Sequence, residues 1–129
     1  VFLGKEDQQK LDVMNKTIEA LEQGKSAIKA GVTADSVAQT FWKVLDKYNI
    51  KKDSRTGYSI GAGFPPDWGE RTVNISKGDP TILQTNCTLH MIAVMQMGDW
   101  GVEVSEAMRV TDDGYEAFCN FPKELVFKD

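Results

Sequence analysis

The chain holds one histidine, His90, in the run Thr88-Leu89-His90-Met91-Ile92. Strand alternation places it on the face of Thr88 and Ile92, opposite Leu89 and Met91. An imidazole there could act as acid, base or donor, although a histidine satisfied by core or sheet-edge neighbours is the commoner case. One histidine cannot supply the three nitrogen or sulfur ligands usual at a catalytic zinc, so a metal here would need carboxylates.

Those carboxylates are densest in Asp99-Trp100-Gly101-Val102-Glu103-Val104-Ser105-Glu106. Alternation puts Glu103, Ser105 and Arg109 on one face and Val102, Val104, Glu106, Met108 and Val110 on the other. Glu106 is thus a carboxylate in an apolar row, and it must be paired, hydrogen-bonded or protonated. A raised pKa would suit a general acid; an ion pair with Arg109, Arg71 or a helix lysine is the plainer alternative. Glu103 is either solvated or lines a cavity on the polar face.

The third candidate is Gly61-Ala62-Gly63-Phe64-Pro65-Pro66-Asp67-Trp68-Gly69-Glu70-Arg71. Consecutive prolines fix an extended path, glycines allow close backbone approach, and Trp68 offers a flat face to a cation or ring. Composition fits a site loop and a rigid turn, with Glu70 and Arg71 in solvent, equally well. The Gly-x-Gly is no dinucleotide fingerprint, since no helix follows it.

The elements that must position these groups change type midway. From Glu6 to Ala30, Leu11, Met14, Ile18, Leu21 and Ile28 form the stripe of an amphipathic helix, which Gly31 ends. Thr33 is placed to cap a second helix running to about Asn49, with Val37, Phe41, Val44, Leu45 and Tyr48 on one face. Beyond it, short runs between turn residues predict strands at Tyr58–Ala62, Arg71–Ile75, Thr81–Gln84, Thr88–Met95, Val102–Val110 and Tyr115–Asn120. Two helices on one face of a mostly antiparallel sheet give an α+β layer structure.

With 129 residues, 41% hydrophobic and 26% charged, a single domain over 1–129 is expected. A net charge of −4 without a basic stripe argues against a nucleic-acid partner. No run is long enough to span a bilayer, so no membrane partner and a cytoplasmic location are expected. Cys87 and Cys119 lack metal or redox spacing and read as small, mostly buried side chains. Val1-Phe2-Leu3-Gly4 is of strand type with no initiator Met, which suggests a cut through a longer protein or a trimmed terminus.

Arg55-Thr56-Gly57-Tyr58-Ser59-Ile60-Gly61 followed by Pro65-Pro66-Asp67-Trp68-Gly69-Glu70-Arg71-Thr72 closely resembles the ectoine hydrolases and Xaa-Pro dipeptidases. These group with creatinase, prolidase and methionine aminopeptidase in the pita-bread superfamily. The likeness continues through Thr88-Leu89-His90, Asp99 to Glu106 and Val110-Thr111-Asp112-Asp113-Gly114, covering nearly the whole chain. It implies the C-terminal half of a pita-bread domain, with the two helices packed on a curved sheet.

The resemblance also shows departures. Tyr58, Ile92 and Ser105 stand where metal-dependent members carry ligands, and the two aspartate ligands would lie upstream of Val1. Relatives usually carry Pro-Gly turns around the His90 strand, where this chain has Thr85-Asn86-Cys87 and Ala93-Val94. The expectation is a metal-free, creatinase-like hydrolase of a carbon–nitrogen bond in a small zwitterion, this chain alone being inactive. On that reading Glu70, Glu103, Glu106 and His90 are catalytic, and Tyr58, Trp68 and Trp100 bind substrate. Two alternatives stand beside it: a prolidase-type metallopeptidase using manganese, cobalt or zinc, and a non-catalytic assembly module. An isologous homodimer would imitate the full domain.

Overall fold

The computed structural model describes residues 1–5, 7–63 and 69–128, with the Phe2 side chain outside that description. Helix α1 spans Gln8–Ser26, and the Asp7 carboxylate caps it by accepting from the amides of Gln9 and Lys10. Glu6, where the sequence pattern starts the helix, lies outside the described residues. The helix stops four residues short of Ala30, because the amides of Ala30 and Gly31 turn instead to the carbonyls of Thr111 and Leu83. Gly31, at φ +84°, shapes the turn into the next helix.

Helix α2 spans Ala34–Lys47, with Thr33 as the expected cap: its hydroxyl accepts from the Ser36 amide. Asn49, in the left-handed region, follows its C-terminus.

The sheet has the order β3-β2-β4-β5-β6 and is antiparallel throughout. Its strands are β2 (Gly57–Ile60), β3 (Gly69–Ile75), β4 (Thr88–Gln96), β5 (Gly101–Val110) and β6 (Tyr115–Ala117). A separate parallel pair joins β1 (Phe2–Leu3) to β7 (Phe127–Lys128). The strand expected at Thr81–Gln84 does not form. Leu83 is fully buried, but the segment bonds to the interhelical turn, its amide donating to Val32 and its carbonyl accepting from Gly31. The β6 strand ends at Ala117 rather than Asn120, once the Phe118 amide has bonded to Ala107.

Alternation along β4 decides the layer arrangement. Leu89, Met91, Ala93 and Met95 are buried against the helices, while His90, Ile92 and Val94 point to the other, half-covered face. Helix α1 lies over β4 and β5, and α2 over β3. Among the described residues no helix is long and apolar enough to cross a membrane.

A register shift between Tyr58 and Ile60 bulges β3, with Arg71 at φ +56°. Ser59 fills the bulge: its buried hydroxyl accepts from the amides of Thr72 and Val73. Ser59→Ala should therefore cost about 1–3 kcal/mol in urea unfolding, since two amides lose their acceptor. A loss below experimental error would show that water replaces the hydroxyl.

Candidate functional site

The face of the sheet turned away from the helices carries one row across the strands. Asn74 on β3 lies opposite Tyr58 on β2, Tyr58 opposite His90 on β4, and His90 opposite Ala107 on β5. Directly opposed residues share a face. The Tyr58 hydroxyl sits 3.0 Å from His90 Nδ1, with the rings edge to face. Desolvation pushes the His90 imidazole below its ordinary pKa, and the Glu103 charge offsets this only in part. His90 is therefore neutral near pH 7, with Nδ1 engaged by Tyr58 and no partner for its other nitrogen among the described residues.

Arg55 completes this row, and the sequence patterns did not single it out. Its guanidinium lies 4.5 Å from the Tyr58 ring centre and donates to the neutral Asn74 Oδ1. Among the described residues it has no carboxylate partner. Nothing in strand periodicity marks Arg55, because it precedes the strand and only the Asn74 pairing brings it over the ring.

Glu103 is exposed two same-face positions along β5, opposite Val94, with Ser105 and Ile92 paired between. His90, Glu103 and Ser105 line a cleft of about 460 Å³, closed on its other side by Phe121, Lys123 and neighbours in the C-terminal segment. Glu103 also borders a second cleft, of about 350 Å³, with Trp100 and Lys10. The Lys10 ammonium lies 6.0 Å from the Trp100 ring centre, so a protein cation already faces that indole.

Glu106 takes the other side of the sheet. Its carboxylate bonds to Lys25 of α1 at 3.1 Å and to Lys123 at 3.0 Å. The helix lysine named among its candidate partners is the one it meets, and neither Arg109 nor Arg71 does so. Desolvation alone would depress the Lys25 ammonium, but hydrogen bonds to Glu22 and Glu106 outweigh it and raise its pKa.

Glu70 lies near the opposite end of the sheet, on β3, three strands from β5. Its Oε1 accepts from the Gly63 amide at 2.9 Å and clamps the loop after β2. The three glutamates are thus not gathered at one point: Glu103 and Glu106 both line the His90 cleft, the latter with its carboxylate held by Lys25 and Lys123, whereas Glu70 lies apart. Trp68, together with Phe64, Pro65, Pro66 and Asp67, lies outside the described residues. Cys87 is half-buried, with its thiol pKa raised by desolvation, whereas Cys119 is exposed and lines the His90 cleft. The expectation of burial holds only for Cys87, because Cys119 falls beyond β6, where the chain has left the sheet.

Two helices on one face of a five-stranded antiparallel sheet, with polar side chains on the other, form part of a pita-bread domain. The chain belongs to the metallopeptidase family M24, which it matches over residues 1–112. It is 33% identical over 129 residues to the ectoine hydrolase of Halomonas elongata, covering 99% of this chain and 32% of that protein. An uncharacterised hydrolase/peptidase of Sinorhizobium fredii is also 33% identical, with 100% and 33% covered. The X-Pro aminopeptidase of Thermotoga maritima superposes with a TM-score of 0.88 at 19% identity, over 99% of this chain and 36% of that one. The chain thus spans about a third of the length of the curated relatives it matches.

Membership of a metallopeptidase family implies a metal site, and the described residues of this chain do not by themselves assemble a ligand set for one. Tyr58, Ile92 and Ser105 are phenolic, apolar and hydroxyl groups, and His90 Nδ1 is already held by Tyr58. Among the described residues no three His, Cys, Asp or Glu side chains converge.

Proposed function

We propose that this chain forms one wall of the active site of a hydrolase that cleaves a carbon–nitrogen bond in a small zwitterion. The observation that carries this reading is the neutral His90, hydrogen-bonded to Tyr58 and sharing a cleft with Glu103. Arg55 offers a cation to a substrate carboxylate, and Glu103 offers an anion to an amine or amidine. The free imidazole nitrogen takes a proton from water as the water oxygen attacks the amide or amidine carbon, then returns it to the leaving nitrogen. Tyr58 orients the ring.

Ectoine hydrolase activity in a relative of 33% identity supports this bond type. Glu70 and Glu106 serve here as positioning groups, one holding the loop and the other tying α1 to β5. Trp100 borders the site, and Trp68 is assigned to substrate packing from its place in the motif. The reading takes residues 1–129 as one unit, the C-terminal half of the catalytic domain, within a cytoplasmic homodimer that acts on small molecules.

The test is hydrolysis of ectoine, creatine and an Xaa-Pro dipeptide by the complete gene product, before and after chelation. His90→Gln should lower kcat by about 10²-fold or more with little change in KM. Activity abolished by chelation and restored by manganese would replace this reading with the metallopeptidase one. The depressed His90 pKa fixes the sign of a further effect. The unfolded chain takes up a proton near pH 6.5 that the folded chain refuses, so stability falls as pH drops below about 6.5. That acid-side loss should disappear in His90→Gln, as read by urea midpoints between pH 5 and 8.

A further inference from the structure

A second polar site lies away from the His90 cleft, where the loop after α2 passes the edge of β4. Trp42 fixes this loop by donating its indole N–H to the Lys52 carbonyl at 2.9 Å. The Lys52 ammonium then donates to the Ser54 hydroxyl at 2.8 Å and to the Val94 carbonyl at 3.1 Å, two neutral acceptors. Val94 lies beyond the stretch of β4 paired with β2, so Lys52 covers a free sheet edge. That structural duty uses two of the three ammonium protons.

Lys52 is half-buried and has no carboxylate partner among the described residues. Desolvation lowers its pKa, which marks a cation without a counter-ion. Beside it opens a cleft of about 230 Å³, lined by Trp42, Lys52, Asp53, Ser54, Ser76 and Lys77. The Lys77 ammonium stands 5.4 Å from the Trp42 ring centre and meets no carboxylate among the described residues. Asp53, the acid of this lining, is exposed and makes no ion pair with either lysine. Two lysines and two serines, with the exposed Asp53, therefore line a space large enough for a tetrahedral oxyanion.

We infer that the cleft between Lys52 and Lys77 is a binding site for a phosphate-type oxyanion, with the Ser54 and Ser76 hydroxyls as further donors. The site is separate from the proposed hydrolytic face and does not depend on that reading. The lysines supply the charge, and the half-buried one supplies most of the affinity, because an arriving anion there faces less competing water. Free phosphate and a phosphomonoester share this chemistry and differ in what must fit beside Trp42.

The test is a 15N-edited NMR titration of the chain with inorganic phosphate, then with phenyl phosphate, at constant ionic strength. Saturable shifts are expected at the amides of Ser54, Ser76 and Lys77, weakened at least tenfold in Lys52→Gln and severalfold in Lys77→Gln. Lys43→Gln, an exposed change on α2, should leave the titration as it was. Tighter binding of phenyl phosphate would assign the site to phosphomonoesters, and tighter binding of inorganic phosphate to the free ion. Should Lys52→Gln fail to fold, the exposed Lys77→Gln decides. Shifts that do not saturate, that chloride reproduces, or that survive unchanged in Lys77→Gln would overturn the site.

Discussion

Lys25→Met should lower the stability of this chain by about 3–5 kcal/mol, the scale for breaking one partner of a buried ion pair. The Lys25 and Glu106 side chains are each only 5% exposed, and they join α1 to the centre of β5. Removing the ammonium leaves the Glu106 carboxylate in an apolar row with Lys123 as its remaining cation. Lys123 comes from the C-terminal segment, so that segment should become the weak point, and proteolysis there should accelerate. The double variant Lys25→Met/Glu106→Leu should regain most of the loss, because a well-packed apolar pair carries no desolvation cost. Urea unfolding of the three proteins measures this, and a single-variant loss under about 1 kcal/mol would show that water reaches the pair. The raised Lys25 pKa adds a pH signature. Its stabilisation is complete below the ordinary value of 10.5 and is lost as pH rises through the higher folded value, so the alkaline limb should shift in Lys25→Met.

A loss of similar size, about 3–5 kcal/mol, is expected for Phe41→Ala. Phe41 is fully buried in α2 at the junction of both helices with the sheet, edge to face with Trp42. The junction is tight because Gly24 of α1 has no side chain: a Cβ there would lie 3.1 Å from Met91 Cε and 3.2 Å from Phe41 Cβ. Removing the ring opens a cavity that the packed neighbours cannot close. Gly24→Ala should cost less, since the Met91 methyl can swing aside and alanine favours the helix by about 1 kcal/mol, which offsets the few tenths of an ångström that α2 must yield at Phe41 Cβ. Thermal unfolding that ranks these two changes the other way would mean that backbone approach, rather than ring packing, sets the junction.

Both positions bear on what was readable beforehand. Phe41 was legible as core, since Val37, Phe41, Val44 and Leu45 follow helical spacing and all are buried. The faces of β4 and β5 were legible from alternation, including His90 opposite Leu89 and Glu106 among apolar neighbours. The Thr81–Gln84 strand was misread because β-like composition cannot report which carbonyls are free to pair. The Leu83 amide and carbonyl pair with Val32 and Gly31 instead of with a strand.

Local sequence thus determined the element types, the helix cap at Thr33 and the face each strand residue takes. These follow from backbone periodicity and side-chain chemistry, which act within a few residues. Tertiary structure alone decided which charges meet. Lys25 and Glu106 are 81 positions apart, Arg55 reaches Asn74 from 19 away, and Tyr58 finds His90 across 32. Such pairs are chosen by strand register and helix docking, because an ionic group accepts any opposite charge that folding brings within reach. Alternation already set Glu103 and Glu106 on opposite faces of β5, but only the docking of α1 and the C-terminal segment gave Glu106 its two lysines.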